Sequence, residues 1–362
     1  MIVARVAAAL VGMGLVWVVV SSAVRTVVVP RGEVLLLTRF VFRTVRLLFT
    51  PFAKDAHTYE RRDRVMARYA PTALMLLPIA WATGVICGFT MIFWAIDQGG
   101  WHDALVSGSS LSTLGFERIR GTGATLLAIL EALIGLGLVA LLISFLPTMY
   151  GHFSRRETVV SKIYTRAMGP DKVARPSSLI RRNQLIGGLD QVGELWAEWE
   201  HWFVEIGESH TSFPALNFFR SPSRERSWVG ASGIALDTAA IFLAVVNIGR
   251  HPRAALMIRA GYVALRDICD FFSIPYNPDP SPDDPISVTR EEFIAVYEEL
   301  AAAGVPVRPD REQAWRDFRG WRVNYDEPVT ALAGLTMAPY TPWVSDRSVR
   351  VRSAPLLPRR WR

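Results

Sequence analysis

Cysteine and charged residues are both scarce in this chain. It has two cysteines, Cys87 and Cys269, and they fall one in each half, which argues against a disulfide framework or a cysteine-based metal site. Charged residues make up 20% of the sequence and hydrophobic residues 51%, with a positive mean hydropathy. This balance indicates that a large part of the chain lies in a membrane rather than in water.

The motifs of enzymes and of metal proteins are also missing from the sequence. No glycine-rich dinucleotide fingerprint follows a strand pattern, and there is no nucleophile elbow, phosphate loop or metal tetrad. His201, Glu205 and His210 form a sparse set that is more typical of a solvated helix face than of a metal site. We therefore expect no enzyme activity, no resident metal and no cofactor.

Three apolar runs are long enough for a transmembrane helix, which needs roughly 20 residues. They cover 6–29, 69–96 and 124–150, and from about residue 151 the composition returns to that of a soluble protein. The pattern predicts an all-α membrane protein with an N-terminal transmembrane helix (1–30), a basic cytoplasmic or interfacial segment (31–67) and a further membrane domain (68–156). A helical cytoplasmic domain (157–346) and a basic tail (347–362) follow.

Basic residues set the expected orientation. They crowd the stretch between the first two runs and return after the third: Arg31, Arg39, Arg43, Arg46, Lys54, Arg61, Arg62, Arg64, Arg68, Arg155, Arg156 and Lys162. The positive-inside rule then predicts a multi-pass plasma-membrane protein whose N-terminus is outside and whose C-terminal domain is cytoplasmic. The rival interpretation is a cleaved signal peptide over 1–23, which would leave this basic cluster outside.

The amphipathic stretch 35–52 is expected to lie at the cytoplasmic interface, where its arginines contact anionic lipid headgroups. The spacing of Arg39, Arg43 and Arg46 is also reminiscent of a voltage-sensing helix. The sequence shows neither the surrounding four-helix domain nor obvious acidic counter-charges on neighbouring spans.

The segment between the second and third runs is short and rich in hydroxyl groups. Trp101-His-Asp103 opens a predicted short helix over 101–112, and Ser112-Thr-Leu-Gly-Phe-Glu117 follows as an extended loop. Non-helical backbone at membrane depth survives only where it is buried in protein or lines a water-filled space. This order of elements resembles the pore loop of the tetrameric potassium-channel superfamily; the alternative is an ordinary Ser/Gly loop between helices.

The resemblance implies the fold, the ion site and the assembly. The module would be outer helix, pore helix, filter (113–117) and inner helix, repeated in a homotetramer whose permeant ion is K⁺ or another monovalent cation. Carbonyls of Thr113, Leu114, Gly115 and Phe116 would bind the ion, with Ser112 as a second hydroxyl. We expect no counterpart of the nucleotide-regulated Rossmann domain that many prokaryotic potassium channels carry, because no glycine-rich fingerprint follows a strand pattern.

The chain departs from the family pattern at the outer end of the loop. Glu117 stands where the final filter glycine is usual, and Arg118 where an aspartate usually follows. A non-glycine residue disfavours left-handed backbone there, which puts potassium selectivity in question. Four Glu117 carboxylates at the mouth would instead concentrate cations.

The third run resembles a pore-lining inner helix. Gly135 and Gly137 suit either a gating hinge or close helix packing, and Pro147 is expected to kink the cytoplasmic end. Glu131 is an intramembrane carboxylate, for which support of the filter through Ser or Thr hydroxyls is favoured over direct ion binding or proton sensing.

The C-terminal half is predicted to be helical, with no identifiable role. Ser177 or Ser178 is expected to cap a helix that continues through Trp199 and Ile206, and Thr289 begins a capping box. The apolar stretch 228–248 is interpreted as a buried helix because of Asp237, although a fourth span is the alternative. The expected function is a potassium-type cation channel; a weakly selective channel and a non-conducting, membrane-anchored sensor or interaction protein are the alternatives.

Overall fold

The computed structural model describes residues 2–28, 36–54, 59–96, 99–249 and 251–348, and within these ranges it contains helices and no strand. Arg31 and residues 349–362 of the predicted basic tail lie outside the described residues, as do the side chains of Lys54, Arg61 and Arg62. The chain divides into two compact units, Met1–Gly151 and His152–Arg362. The division falls a few residues before the domain boundary predicted at 156/157.

The first five helices follow the apolar pattern of the sequence. They are α1 (Ile2–Val28), α2 (Leu36–Lys54), α3 (Tyr59–Ala95), α4 (Trp101–Leu111) and α5 (Thr122–Ala167). The short α4 begins where the helix over 101–112 was predicted and ends one residue earlier, at Leu111; its role as a pore helix stays a prediction. Helix α5 has 46 residues, so at 1.5 Å per residue it is about 70 Å long, well over the ~30 Å thickness of a bilayer core.

Glycines allow α1 and α3 to pack in close contact. A Cβ atom on Gly12 would lie 2.5 Å from the Gly88 carbonyl oxygen, and one on Gly88 would lie 2.6 Å from Val16 Cγ2. Gly84, one turn before Gly88, faces Val19 in the same way. Small residues four apart on one face are the usual means by which membrane helices approach each other.

In the part of the chain that the structure describes, four helices are long and apolar enough to cross a membrane, which indicates a multi-pass membrane protein. They are α1, α3, α5 and α8 (Trp228–Val245). The apolar windows of α1, α3 and α5 are 11%, 39% and 17% buried, whereas that of α8 is 94% buried. Helix α8 is therefore already covered by protein, as the central helix of a globular domain would be. That it does not cross the membrane stays a prediction.

The second unit surrounds α8 with amphipathic helices. These are α6 (Pro176–Leu185), α7 (Gly193–Ser212), α9 (Pro252–Phe271), α10 (Arg290–Ala302), α11 (Arg311–Arg322) and α12 (Asp326–Thr336). Trp196, Trp199 and Trp202 of α7 are fully buried, as the helical spacing of the aromatic residues predicts. The Thr289 capping box is present, since Thr289 and Glu292 each accept a hydrogen bond from the other's backbone N–H.

The single helix predicted from Ser177 through Ile206 is wrong, because the chain forms two helices there. Helix α6 begins at Pro176 after Arg175, so both serines lie inside its first turn instead of capping it. Gly187 has φ 65° and Gly188 follows it before α7 begins. The left-handed backbone at Gly187 ends the first helix.

A charged cluster explains how α8 tolerates Asp237 in its centre. The guanidinium of Arg322 is fully buried; it pairs with Asp237 and donates to Asp326 Oδ1 at 2.7 Å and to the Trp343 carbonyl at 2.5 Å. Tyr325 donates its hydroxyl to Asp237 at 2.8 Å. Buried charges persist only when paired and hydrogen-bonded in this way.

Candidate functional site

Helix α4 and the loop after it form the candidate site. Gly99 and Gly100 both have positive φ, so the chain turns sharply before α4 begins at Trp101. Asp103 lies in the first turn and is buried, near the end of the helix dipole that favours a carboxylate. The helix ends at Leu111, and the loop folds back over its C-terminus.

Four consecutive backbone amides of the loop converge on one residue, Ser109. Its carbonyl oxygen accepts from the N–H groups of Leu114 at 3.0 Å and Gly115 at 3.4 Å. Its Oγ accepts from the N–H groups of Phe116 at 3.0 Å and Glu117 at 3.4 Å. Ser109 therefore fixes the direction of every peptide group from 113 to 117.

The direction of the amides determines the direction of the carbonyls. No peptide bond of the described residues is cis, and in a trans peptide the C=O points opposite to the N–H of the same unit. The carbonyls of Thr113, Leu114, Gly115 and Phe116 therefore all point away from Ser109. Among the hydrogen bonds of the described residues, none is accepted by these four oxygens.

The backbone of the loop is left-handed at two positions. Thr113 has φ 59° and Gly115 has φ 63°. At Gly115 a glycine adopts this conformation without the steric cost that a Cβ atom brings. Glu117 does not have positive φ, so the strain anticipated from the missing outer glycine is absent from this loop conformation.

The two hydroxyls at the start of the loop are turned toward the backbone. Ser112 Oγ donates to the Gly108 carbonyl at 2.6 Å, and Thr113 Oγ1 donates to the Ser112 carbonyl at 2.7 Å. Ser112 therefore helps to end α4.

The Glu117 side chain is held at the outer end of the loop. Its Oε2 lies 3.4 Å from Nδ1 of His102 in the first turn of α4. Together with the N–H bond to Ser109, this contact ties Glu117 to both ends of the short helix. Arg118 and Arg120 are exposed beside it.

Glu131 of α5 is fully buried against α4. Ser107 Oγ lies 2.5 Å from Glu131 Oε1 and 3.2 Å from the Ile86 carbonyl of α3. One serine hydroxyl thus joins the three helices α3, α4 and α5. The hydroxyl contact expected of Glu131 is present, and its role in supporting an ion filter stays a prediction.

Gly135 and Gly137, the glycines proposed as a hinge in α5, have different surroundings. A Cβ atom on Gly135 would lie 2.1 Å from the Leu111 carbonyl oxygen, so Gly135 allows α5 to touch the end of α4. Gly137 has no atom within 4 Å of such a Cβ among the described residues. Pro147 lies inside α5, which continues to Ala167.

Ser107 and Ser109 are the site residues that sequence reasoning missed. The available signal was a run of hydroxyl residues at the C-terminal end of a short predicted helix. The two histidines considered as a metal pair do not come together: His201 is exposed, whereas His210 is buried beside Arg156. The described residues contain no group of His, Cys, Asp and Glu side chains that could hold a metal.

Comparison of the chain with protein-family models, with curated proteins and with solved structures finds no match. The function therefore has to be argued from the loop geometry itself.

Proposed function

We propose that this chain is the subunit of a potassium-type cation channel, related to the tetrameric potassium-channel superfamily. The observation that carries the proposal is the set of four carbonyls from Thr113 to Phe116, turned to one side of the loop by the hydrogen bonds to Ser109. Stacked carbonyl rings can replace the hydration shell of a monovalent cation.

Energetics supports a polar occupant for these oxygens. An unsatisfied backbone group in hydrocarbon costs several kcal/mol, and α4 with its loop connects α3 to α5, two helices that are long and apolar enough to span a membrane. A cation, water, or both would satisfy the four oxygens. A carbonyl oxygen is an acceptor and therefore favours cations over anions.

One loop cannot surround an ion, so the proposal requires a closed ring of copies. In the single chain the side chains of Leu114 and Phe116 are 70% and 61% exposed. Four copies arranged about one axis would cover these side chains and bring sixteen carbonyls together. We accordingly propose a homotetramer with K⁺ as the permeant ion and no other cofactor.

Orientation and lipid contact belong to the same proposal. The basic residues around α2 favour a plasma-membrane protein with its N-terminus outside and its second unit in the cytoplasm. Helix α2 exposes the apolar side chains of Phe40, Leu47, Leu48 and Phe52, while Val41 and Val45 are buried. This pattern suits a helix lying in the interface, with its arginines at anionic headgroups.

Weak selectivity among monovalent cations is the second candidate, and Glu117 favours it. Four carboxylates at the outer end would attract Na⁺ as well as K⁺, because such a ring acts through charge instead of a fitted carbonyl cage. In the single chain each such carboxylate has Nδ1 of His102 at 3.4 Å from its Oε2.

The test is the reversal potential of the purified full-length protein in planar bilayers under bi-ionic K⁺/Na⁺ conditions. We expect a K⁺-selective current that Gly115→Ala abolishes, because alanine at φ 63° is strained by about 1–2 kcal/mol. Gly123→Ala is the matched control: its φ is not positive, and nothing lies within 4 Å of the added methyl group.

Equal permeability to K⁺ and Na⁺ would leave the weakly selective channel as the function. A purified protein that runs as a monomer or dimer and passes no cation would contradict both the potassium-type channel and the weakly selective channel. It would instead support a non-conducting sensor or interaction protein.

A further inference from the structure

A buried arginine near the second unit's first residue holds a turn of the chain in place. Arg156, on α5, is 3% exposed. Its Nη1 donates to the Leu216 carbonyl at 2.7 Å and its Nη2 donates to the Phe219 carbonyl at 2.9 Å. One guanidinium thus secures the segment 213–219, hereafter the 213–219 turn, which contains the short 3-10 helix Pro214–Phe218.

The same guanidinium contacts a histidine, and the geometry defines its protonation. Arg156 Nη1 lies 3.1 Å from Nε2 of His210, which is 1% exposed. A guanidinium only donates hydrogen bonds, so Nε2 must accept. The proton of the neutral imidazole is then on Nδ1, which lies 3.0 Å from Ser209 Oγ. Ser209 in turn donates to the Glu205 carbonyl at 2.6 Å, so its oxygen is available to accept from Nδ1.

Around His210, burial and the Arg156 guanidinium disfavour a second proton more than the hydrogen-bonded Ile206 carbonyl, one turn earlier on α7, favours it. Helix α5 presents the Arg156 guanidinium and His152, α8 presents the ring of Trp228 at 4.8 Å, and the 213–219 turn presents Asn217, whose amide donates to the His210 carbonyl. The nearby carboxylates are engaged by other groups, since Glu157 pairs with Arg156 at 2.8 Å and Glu205 lies 3.7 Å from Arg155.

We propose that Arg156 and His210 form a clamp that fixes α5 to α7 and to the 213–219 turn, and that protonation of His210 opens this clamp. A proton on Nε2 removes the acceptor of the Arg156 hydrogen bond and places two cations 3.1 Å apart in a buried site. The clamp then opens, and the guanidinium releases the two carbonyls of the turn. The inference goes beyond the proposed function, because it concerns the second unit and does not require ion flow.

The clamp is closed at neutral pH. Burial, and after it the Arg156 guanidinium, lower the pKa of His210 well below that of a free histidine. Because the pKa of His210 is lower in the closed clamp than in a free histidine, the closed state is fully stabilised at pH values above about 6.5, the pKa of a free histidine. This stabilisation is lost as the pH falls toward the pKa of His210 in the clamp. Between these two pKa values, the population of molecules with an open clamp increases up to tenfold for each unit by which the pH falls.

Hydrogen exchange tests the clamp in the full-length, detergent-purified protein between pH 5 and 8. Rates for peptides covering the 213–219 turn are corrected for intrinsic exchange and compared with peptides from α8. We expect exchange of the turn to accelerate by up to tenfold per pH unit below about 6.5, while α8 stays protected. His210→Gln should make the turn insensitive to pH, because an amide oxygen accepts the Arg156 hydrogen bond but does not titrate in this range.

His201→Gln is the matched control, since this histidine is on the same helix but exposed; it should behave as the wild type. Arg156→Lys should raise exchange of the turn at every pH, because lysine lacks the planar fork that reaches two carbonyls. The proposal is overturned if, in the wild type, the 213–219 turn loses protection from exchange no faster than α8 does as the pH falls. His210→Gln protein that keeps the wild-type pH dependence overturns it as well. If His210→Gln does not fold, the wild type and His201→Gln decide whether the clamp exists. Exchange of the 213–219 turn that accelerates more steeply than that of α8 as the pH falls, in both proteins, supports the clamp.

Discussion

Replacing Ser109 with alanine should disorganise the proposed filter while α4 remains intact. The substitution removes the Oγ that accepts the N–H groups of Phe116 and Glu117. Each such hydrogen bond contributes about 1 kcal/mol, so the conformation with aligned carbonyls loses about 2 kcal/mol per chain, or roughly 30-fold in population. The Ser109 carbonyl still holds Leu114 and Gly115, so the outer half of the loop is affected first.

The assay is the K⁺/Na⁺ permeability ratio from bi-ionic reversal potentials, with the oligomeric state checked by size-exclusion chromatography. Ser109→Ala should lower the ratio at least tenfold. Ser110→Ala is a close control, because the Ser110 hydroxyl donates to the Val106 carbonyl within α4 and does not contact the loop. An unchanged ratio for Ser109→Ala, or an equal loss for both variants, would refute the claim that Ser109 orients the carbonyls.

Three further substitutions test other parts of the structure. Gly135→Ala should lower the melting temperature of the assembled protein, because the added methyl group would lie 2.1 Å from the Leu111 carbonyl oxygen. Gly137→Ala is the control: its methyl group meets open space, so the melting temperature should stay nearly unchanged. Equal effects of the two substitutions would argue against the close contact between α5 and α4. Glu117→Gly should raise the K⁺/Na⁺ ratio if the outer filter is what weakens selectivity, and an unchanged ratio would dismiss that explanation. Arg322→Met should cost about 3–5 kcal/mol by leaving two carboxylates buried without their cation, a drop of about 10 °C in the melting temperature. Arg290→Gln removes an exposed ion pair and should leave the melting temperature nearly unchanged; an equal drop for both variants would argue against a special role of the buried cluster.

Much of the helix arrangement was predictable because hydrophobicity determines which segments enter a membrane. Helices α1, α3 and α5 cover the three predicted apolar runs, and the short helix α4 lies in the hydroxyl-rich segment between the second and third runs. The contact between α1 and α3 was overlooked. Gly84 and Gly88 are spaced as small residues at membrane-helix interfaces usually are, but the sequence does not say which helix approaches them.

The hydrogen bonds of the candidate site were less predictable. Ser109 binds the amides of residues five to eight positions further along the chain, and that reach depends on how the loop folds back over α4. The pairing of Arg156 with His210 spans 54 positions, so no local pattern indicates it. By contrast, the break between α6 and α7 had a local signal in Gly187-Gly188, which the aromatic stripe of α7 obscured.

The most direct test of the account is electron cryo-microscopy of the full-length protein purified in detergent with K⁺. The account predicts a four-fold ring in which the carbonyls of residues 113–116 face the axis, with ion density between successive carbonyl layers. A monomer or dimer, or a ring whose loops face bulk solvent away from the axis, would contradict it.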